Sequence, residues 1–460
     1  MVFYGLLLLT LLTAIPYGTV QPWSEAIFQS VVFALALLFV IEGYLSGSWR
    51  IPGSMLLFPA VGLIVLALLQ SVPLWSANVA ASPGGKVWLA ISADPFESRR
   101  FALKMAAYVV AGALMIRYLI GRRRLQAAAA VVLGVAVASS IFGILRQGLQ
   151  RPKQDFVLPY LDFNVGYAQF INKNHFAFLV EMALGLALGL IVARAVRRDR
   201  LMIYGAVLLV LWTALVLSNS RGGLLAMIGQ MVLALIVFIR HRTGEGTGAS
   251  KTESTSVWRF ARSLVVQIVL VLALIFVVIV GMVWVGGDPL LSNVEQASTE
   301  LNAQPTSEYH EGARRRDIWR ATWLMIKDSP IAGVGLGGYW AAVPLYHDGS
   351  GQLTPQQAHN DYLELLASGG IIGAAIGIWF LFVWGRKVRS AIRSDDADFR
   401  ASAWGATIAI AGVAIHCLFD FGLHKTINAV VFLWLLAIIA AASNSVGAAL
   451  RGRPLFGRAS

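Results

Sequence analysis

Residues 200–240 read RLMIYGAVLLVLWTALVLSNSRGGLLAMIGQMVLALIVFIR. Two apolar runs, at about 200–218 and 222–240, stand back to back with the short turn SNSRGG (218–223) between them. Each is close to the roughly 20 residues that carry a helix across a hydrocarbon core of roughly 30 Å. Both are too continuous for the alternating strands of about ten residues that build an outer-membrane barrel. The stretch therefore reads as a helical hairpin that crosses a membrane twice, with basic residues, Arg200 and Arg240, at its outer ends.

The same pattern recurs along the chain. Spans are predicted at about 2–16, 24–46, 51–73, 100–121, 125–146, 174–195, 200–218, 222–240, 262–286, 366–385, 402–421 and 427–448. The fold class is all-α: a polytopic integral membrane protein with about 12 transmembrane helices. Composition agrees. The chain is 57% hydrophobic and 13% charged, against roughly 25% charged in a soluble globular protein. The start, MVFYGLLLLTLLTAIPYG, has no basic n-region and no small-residue cleavage site, so it reads as a first span rather than a signal peptide.

Basic clusters set the orientation. They fall at Arg50, Arg122 to Arg124, Arg197 to Arg200, Arg240 to Arg262, Arg386 to Arg400 and Arg451 to Arg458. All lie on one side if both termini are cytoplasmic. The net charge of +13 thus reports cytoplasmic anchoring, and no nucleic-acid partner is expected. The one cysteine, Cys417, excludes an internal disulfide. Three regions follow: an N-terminal transmembrane bundle of about nine helices at 1–286, a large external loop at 287–365, and about three C-terminal helices with a short cytoplasmic tail at 366–460. The Gly/Ser/Thr-rich segment 243–256 reads as a flexible internal linker.

Chemistry gathers on the external side. Arg221 sits in the SNSRGG turn with almost no loop around it, so its guanidinium is held at the membrane surface or just below. An ionisable group at that depth is a functional candidate by default; the competing reading is a side chain that snorkels to lipid phosphates. Gly222 and Gly223 open the next helix, whose N-terminal N–H groups favour an anion. In GARRRDIWRATWLMIKDSPIAGVGLGGYW (312–340), the pattern from Arg315 to about Asp328 predicts an amphipathic helix on the outer membrane surface. Arg314, Arg315, Arg316 and Arg320 cluster on it. They suit either anionic lipid or a phosphate-bearing substrate, which guanidinium grips in bidentate geometry. GVGLGG lacks any strand–helix context and is no dinucleotide signal.

The third feature is QQAHNDYLELLASGG (356–370). His359, Leu363 and Leu366 are expected on one helical face. A lone histidine there is more often packed than catalytic. An imidazole of ordinary pKa, about 6.5, can nevertheless take a proton from a hydroxyl at neutral pH. Asn360, Asp361 and Tyr362 either orient His359 or bind sugar. Two further polar sites face the same side. QFINKNHFAF (169–178) brings Lys173, Asn174 and His175, and AIHCLFDFGLHK (414–425) brings His416, Asp420 and His424 at helical spacing. The latter could ligate a metal, although packing or sugar hydrogen bonds explain it as well, and no external carboxylate cluster for a divalent cation is visible. Arginines for phosphate, a histidine for proton transfer and lipid access together suit a lipid-linked phosphate substrate.

The segments NSRGGLLA, RRDIWRATWLMIKDSPIAGVGLGGYW and AHNDYLELLASGGIIG resemble the O-antigen ligase and polymerase superfamily, as do FINKNHFAF and HCLFDFGLH. The resemblance implies a GT-C-like helical fold in a bacterial inner membrane, with a partly helical periplasmic loop that carries part of the active site. It implies an inverting, metal-independent glycosyltransferase without cofactors, which moves a glycan from an undecaprenyl-diphosphate donor to an acceptor hydroxyl on another glycan, a lipid A core or a protein. Carried over by motif, Arg221 and Arg315 engage the diphosphate and His359 is the general base. Arg316 is the alternative to Arg315. Substrate contacts are then expected from Arg316, Arg320, Lys173, Asn174, Asn360, Tyr362, His416 and Asp420. Chain polymerisation is the alternative within the superfamily. A transporter of lipid-linked oligosaccharide would need a charged cavity open to both sides, whereas the polar groups here gather on one.

Overall fold

The computed structural model describes residues 1–49, 51, 54–78, 86–149, 166–193, 195–244, 315–347 and 355–450. The helices are α1 Val2–Ala14, α2 Pro22–Ser46, α3 Phe58–Gln70, α4 Pro95–Tyr118, α5 Gly121–Leu149, α6 Lys173–Val192, α7 Leu201–Leu217, α8 Arg221–Gly244, α9 Arg315–Asp328, the short α10 Tyr339–Ala342, α11 Asp361–Ala391, α12 Ala397–His416 and α13 Thr426–Leu450. Eight of the described helices are long and apolar enough to cross a membrane. Every predicted span falls on a described helix except 262–286, which lies outside the described residues, as do most of the 243–256 linker, Arg314 and residues 287–313 of the loop. One departure from the all-helical expectation is a hairpin: β1 Trp75–Asn78 pairs antiparallel with β2 Lys86–Leu89, in the loop between α3 and α4.

Burial separates a centre from a rim. The apolar stretches of α6 and α13 are 83% and 94% buried inside the protein, whereas those of α2 and α7 are 22% buried. Lipid tails are as apolar as leucine, so membrane helices associate through close backbone packing rather than through hydrophobic segregation. The chain supplies small residues where this is needed. A side chain on Gly185 would strike the Ala409 backbone, and one on Gly189 the Gly405 backbone, so α6 and α12 lie in near contact. On α13, the indole of the fully buried Trp434 donates to Thr10 Oγ1 at 2.8 Å, which ties the last helix to the first.

α11 is broken at Gly370, whose φ of 62° and ψ of −160° are not helical. The freed backbone groups are satisfied by the glycine-rich segment after α9. The N–H groups of Ile371 and Ile372 donate to the carbonyls of Pro330 (2.8 Å) and Ile331 (3.2 Å), and those of Val334 and Gly335 donate to Ala367 (2.9 Å) and Ser368 (3.0 Å). Gln70, at the end of α3 and fully buried, donates to the carbonyl of Ser368 at 2.9 Å and accepts from Leu336 N–H at 2.9 Å. A break in a membrane helix is tolerated where protein re-satisfies the backbone in this way. Gly333, Gly335 and Gly337 all have positive φ; they serve this close backbone approach, which no residue with a Cβ allows at Gly333 or Gly335.

Candidate active site

One end of the bundle gathers the polar residues that stand at helix termini: the turn before α8, the first turn of α6, the start of α9, the segment before α11 and the 417–425 connection. Asp420 is at their centre. Its carboxylate is fully buried in that connection. Oδ1 faces His359 Nδ1 at 3.4 Å and accepts from Phe421 N–H at 2.9 Å. Oδ2 accepts from Asn174 Nδ2 and lies 3.8 Å from an Arg315 nitrogen. Burial alone would push this carboxyl up; the nearby His359 and His175 imidazoles and the Phe421 N–H outweigh it and hold the group well below the usual carboxylate range. Asp420 is therefore ionised and only accepts.

His359 stands outside α11, not on its face. Asn360 is the N-cap, and His359 precedes it with φ at 51°. The expected stack with Leu363 and Leu366 is not formed. The left-handed backbone instead turns the imidazole towards Asp420, with its ring edge-on to Phe421 at 4.9 Å. The side chain is 30% exposed, so a substrate hydroxyl can reach it. At 3.4 Å the contact with Asp420 is longer than a well-formed hydrogen bond, and catalytic contacts often tighten only once substrate is bound. The Nδ1 position facing Asp420 leaves Nε2 as the proton acceptor.

Arg221 is the first residue of α8, half-buried. Ser220 accepts the Gly223 N–H on Oγ (3.3 Å) and the Leu224 N–H on its carbonyl (3.0 Å), which fixes the turn. Asn219 just before it has φ at 54°. Lys173 lies within electrostatic reach of both Arg221 and Arg315, so three cations from three helices converge. Of the arginine cluster, Arg315 is the member beside Asp420; Arg316 and Arg320 are exposed on α9. α9 itself is held to the site by Trp319, whose indole donates to the carbonyl of Ala358 at 3.0 Å.

Several expected substrate contacts have other work. Asn360 is buried; its Oδ1 caps α11 by accepting from Tyr362 and Leu363 N–H at 3.0 Å, and its Nδ2 donates to the Leu418 carbonyl at 3.0 Å. The Tyr362 hydroxyl donates to the Ala414 carbonyl at 2.8 Å. His416 is fully buried, with Nδ1 2.8 Å from Glu181 and its ring stacked on Phe178 at 4.0 Å, directly under Gly222. It supports the Arg221 turn from below. Nor do His416, Asp420 and His424 share a helical face. α12 stops at His416, and His424 turns to Asp361 at 3.2 Å and Glu364 at 4.0 Å. Among the described residues, no group of three or more His, Cys, Asp or Glu is placed to hold a metal ion.

Sequence reasoning missed Glu181 and Ser220. For Glu181 the signal was present: a lone carboxylate within an apolar span asks for a partner. Ser220 carried none beyond its place in the SRGG turn.

No curated protein matches the chain. Residues 205–378 match the family model of O-antigen ligase. That segment contains Arg221, Arg315 and His359, while Lys173, Asn174 and Asp420 lie on either side of it. Over that segment the chain is similar to the O-antigen ligase family.

Proposed function

We propose that the protein transfers a glycan from undecaprenyl diphosphate to an acceptor hydroxyl at the periplasmic face of a bacterial inner membrane, with both termini cytoplasmic. The observation that carries this reading is the convergence on one buried carboxylate of a partly exposed imidazole and a guanidinium, His359 and Arg315, with Arg221 and Lys173 alongside. Cations suit the diphosphate, the imidazole suits the hydroxyl, and the membrane setting suits a polyprenyl anchor.

In the reaction, His359 Nε2 takes the acceptor's hydroxyl proton as the acceptor oxygen forms a bond to the anomeric carbon. The bond between that carbon and the diphosphate oxygen breaks, and its electron pair leaves on undecaprenyl diphosphate. Arg221 and Arg315 stabilise the developing charge. Asp420 holds the imidazole in the required tautomer and stabilises the imidazolium that forms. Attack opposite the leaving group inverts the anomeric centre. Arg316, Arg320 and Lys173 widen the cationic approach for the diphosphate. The acceptor is another glycan, a lipid A core or a protein hydroxyl.

The test is reconstitution of the full chain in liposomes with a synthetic undecaprenyl-diphosphate-linked glycan and host membrane extract as acceptor. Release of undecaprenyl diphosphate matched by glycan of inverted configuration on the acceptor is the expected result. Retained anomeric configuration would contradict the direct displacement. Movement of intact donor across the bilayer without bond cleavage would replace the enzyme with a transporter.

A further inference from the structure

Asn174 has both ends of its amide committed. Its Oδ1 accepts from Ser220 Oγ at 2.8 Å, and its Nδ2 donates to Asp420 Oδ2. Its own backbone N–H is received by the Asn172 side chain at 2.8 Å, which caps α6 and fixes where the side chain starts. The amide orientation follows from its partners: the ionised Asp420 only accepts, so nitrogen faces it, and the oxygen is left for the serine hydroxyl. Ser220 is the residue on which the first turn of α8 is built, with Arg221 next in sequence. Asp420 is the group that faces His359 and Arg315.

We infer that Asn174 is a positioning residue that couples the phosphate-binding turn at Arg221 to the proton-accepting His359, through Ser220 on one side and Asp420 on the other. This rests on the reading of His359 and Arg221 proposed above. The role differs from sugar contact, since each amide atom already holds a protein partner. It explains a requirement the reaction imposes: proton removal at one end of the site and charge stabilisation at the other must be held in register. A misplacement of about 1 Å can cost about 10²-fold in rate, and the two groups come from segments 138 residues apart in sequence, Arg221 to His359. One amide spans that gap. No other neutral side chain of this size offers an acceptor and a donor from one planar group; aspartate would present oxygen to an ionised carboxylate.

The experiment uses the full-length protein in liposomes, with the synthetic undecaprenyl-diphosphate-linked glycan as donor and host membrane extract as acceptor. Asn174→Asp is compared with Ser220→Ala and His359→Ala, each checked for monodispersity. Asn174→Asp adds a carboxylate beside Asp420. It is expected to lower kcat/KM about 10²-fold and to move the acid limb of the pH–rate profile to higher pH by about one unit, because added negative charge favours the imidazolium. Ser220→Ala is expected to raise the donor KM several-fold and weaken binding of undecaprenyl diphosphate alone, with the acid limb unmoved; it keeps the coupling testable where Asn174→Asp does not fold. An Asn174→Asp enzyme with the wild-type acid limb and only a raised KM makes Asn174 a substrate contact and overturns the coupling. So does a Ser220→Ala enzyme that binds undecaprenyl diphosphate as wild type does. If His359→Ala keeps wild-type turnover, the base assignment falls and the coupling with it; if His359→Ala is inactive, the outcome at Asn174 judges the coupling alone.

Discussion

At the scale of single residues, the site is organised by one buried carboxylate. Asp420 is buried, ionised and shared between an imidazole and a guanidinium. Replacing it with asparagine keeps the volume and removes the charge. Asp420→Asn is expected to lower kcat by about 10²-fold with a small change in donor KM, measured on the reconstituted enzyme. Arg221→Lys keeps a positive charge and loses the planar fork, so it is expected to raise donor KM and lower kcat together. An unchanged KM would show that the guanidinium is not on the diphosphate. Gly222→Ala tests the support beneath. A methyl there runs into the His416 ring, which Glu181 and Phe178 hold from the other sides. Impaired transfer with intact insertion is expected, and wild-type rates in that variant would mean that the α8 turn is free to move.

Between elements, the account of the site depends on segments that close against helix ends. The break in α11 at Gly370 and the segment from Pro330 to Leu336 satisfy one another's backbone groups. Gly370→Ala forces a Cβ into the Ile331 carbonyl at positive φ. It is expected to cost about 1–3 kcal/mol, read as a lower midpoint of thermal unfolding in detergent; an unchanged midpoint would show that the break is not under this constraint. A second closure is His424 with Asp361 and Glu364. Burial lowers the His424 pKa, but the Asp361 hydrogen bond and the two carboxylate charges outweigh it and raise the group above its ordinary value, against a smaller opposing effect of Lys425. A raised folded pKa means that the tie is fully present below about pH 6.5 and is lost as pH climbs through the folded value. The thermal midpoint of the wild type should therefore fall more steeply than that of His424→Gln as pH climbs above about 6.5. Equal slopes would remove His424 from the closure.

At the scale of the whole molecule, the apolar helices were the most legible part of the sequence. Apolar runs near 20 residues report membrane helices because length and continuity are local properties, and 201–217 and 221–244 fall where the back-to-back runs placed them. The amphipathic period from Arg315 to Asp328 likewise marked α9. What spacing could not report was chain reversal. The regular interval of His416, Asp420 and His424 assumed that a helix continues, but α12 stops at His416 and sends the three side chains to three different partners. The positive φ of His359 was equally hidden, since histidine carries no glycine-like signature. Arg221 and Arg315 stood out because arginine is costly at a membrane face, whereas the hub at Asp420 needed contacts from α6, α9 and the segment before α11 that no local pattern encodes. Orientation has a simple check, because Cys417 is the only cysteine and is buried. Leu345→Cys should react with a membrane-impermeant maleimide from the periplasmic side, and Asp395→Cys only after permeabilisation; the reverse would invert the topology.

The most direct measurement is single-turnover transfer by His359→Ala, in liposomes loaded with the synthetic undecaprenyl-diphosphate-linked glycan, with donor binding followed separately. The expected result is donor bound with near wild-type affinity and no glycan transferred. Wild-type-like turnover by that variant would contradict the assignment of His359 as the base.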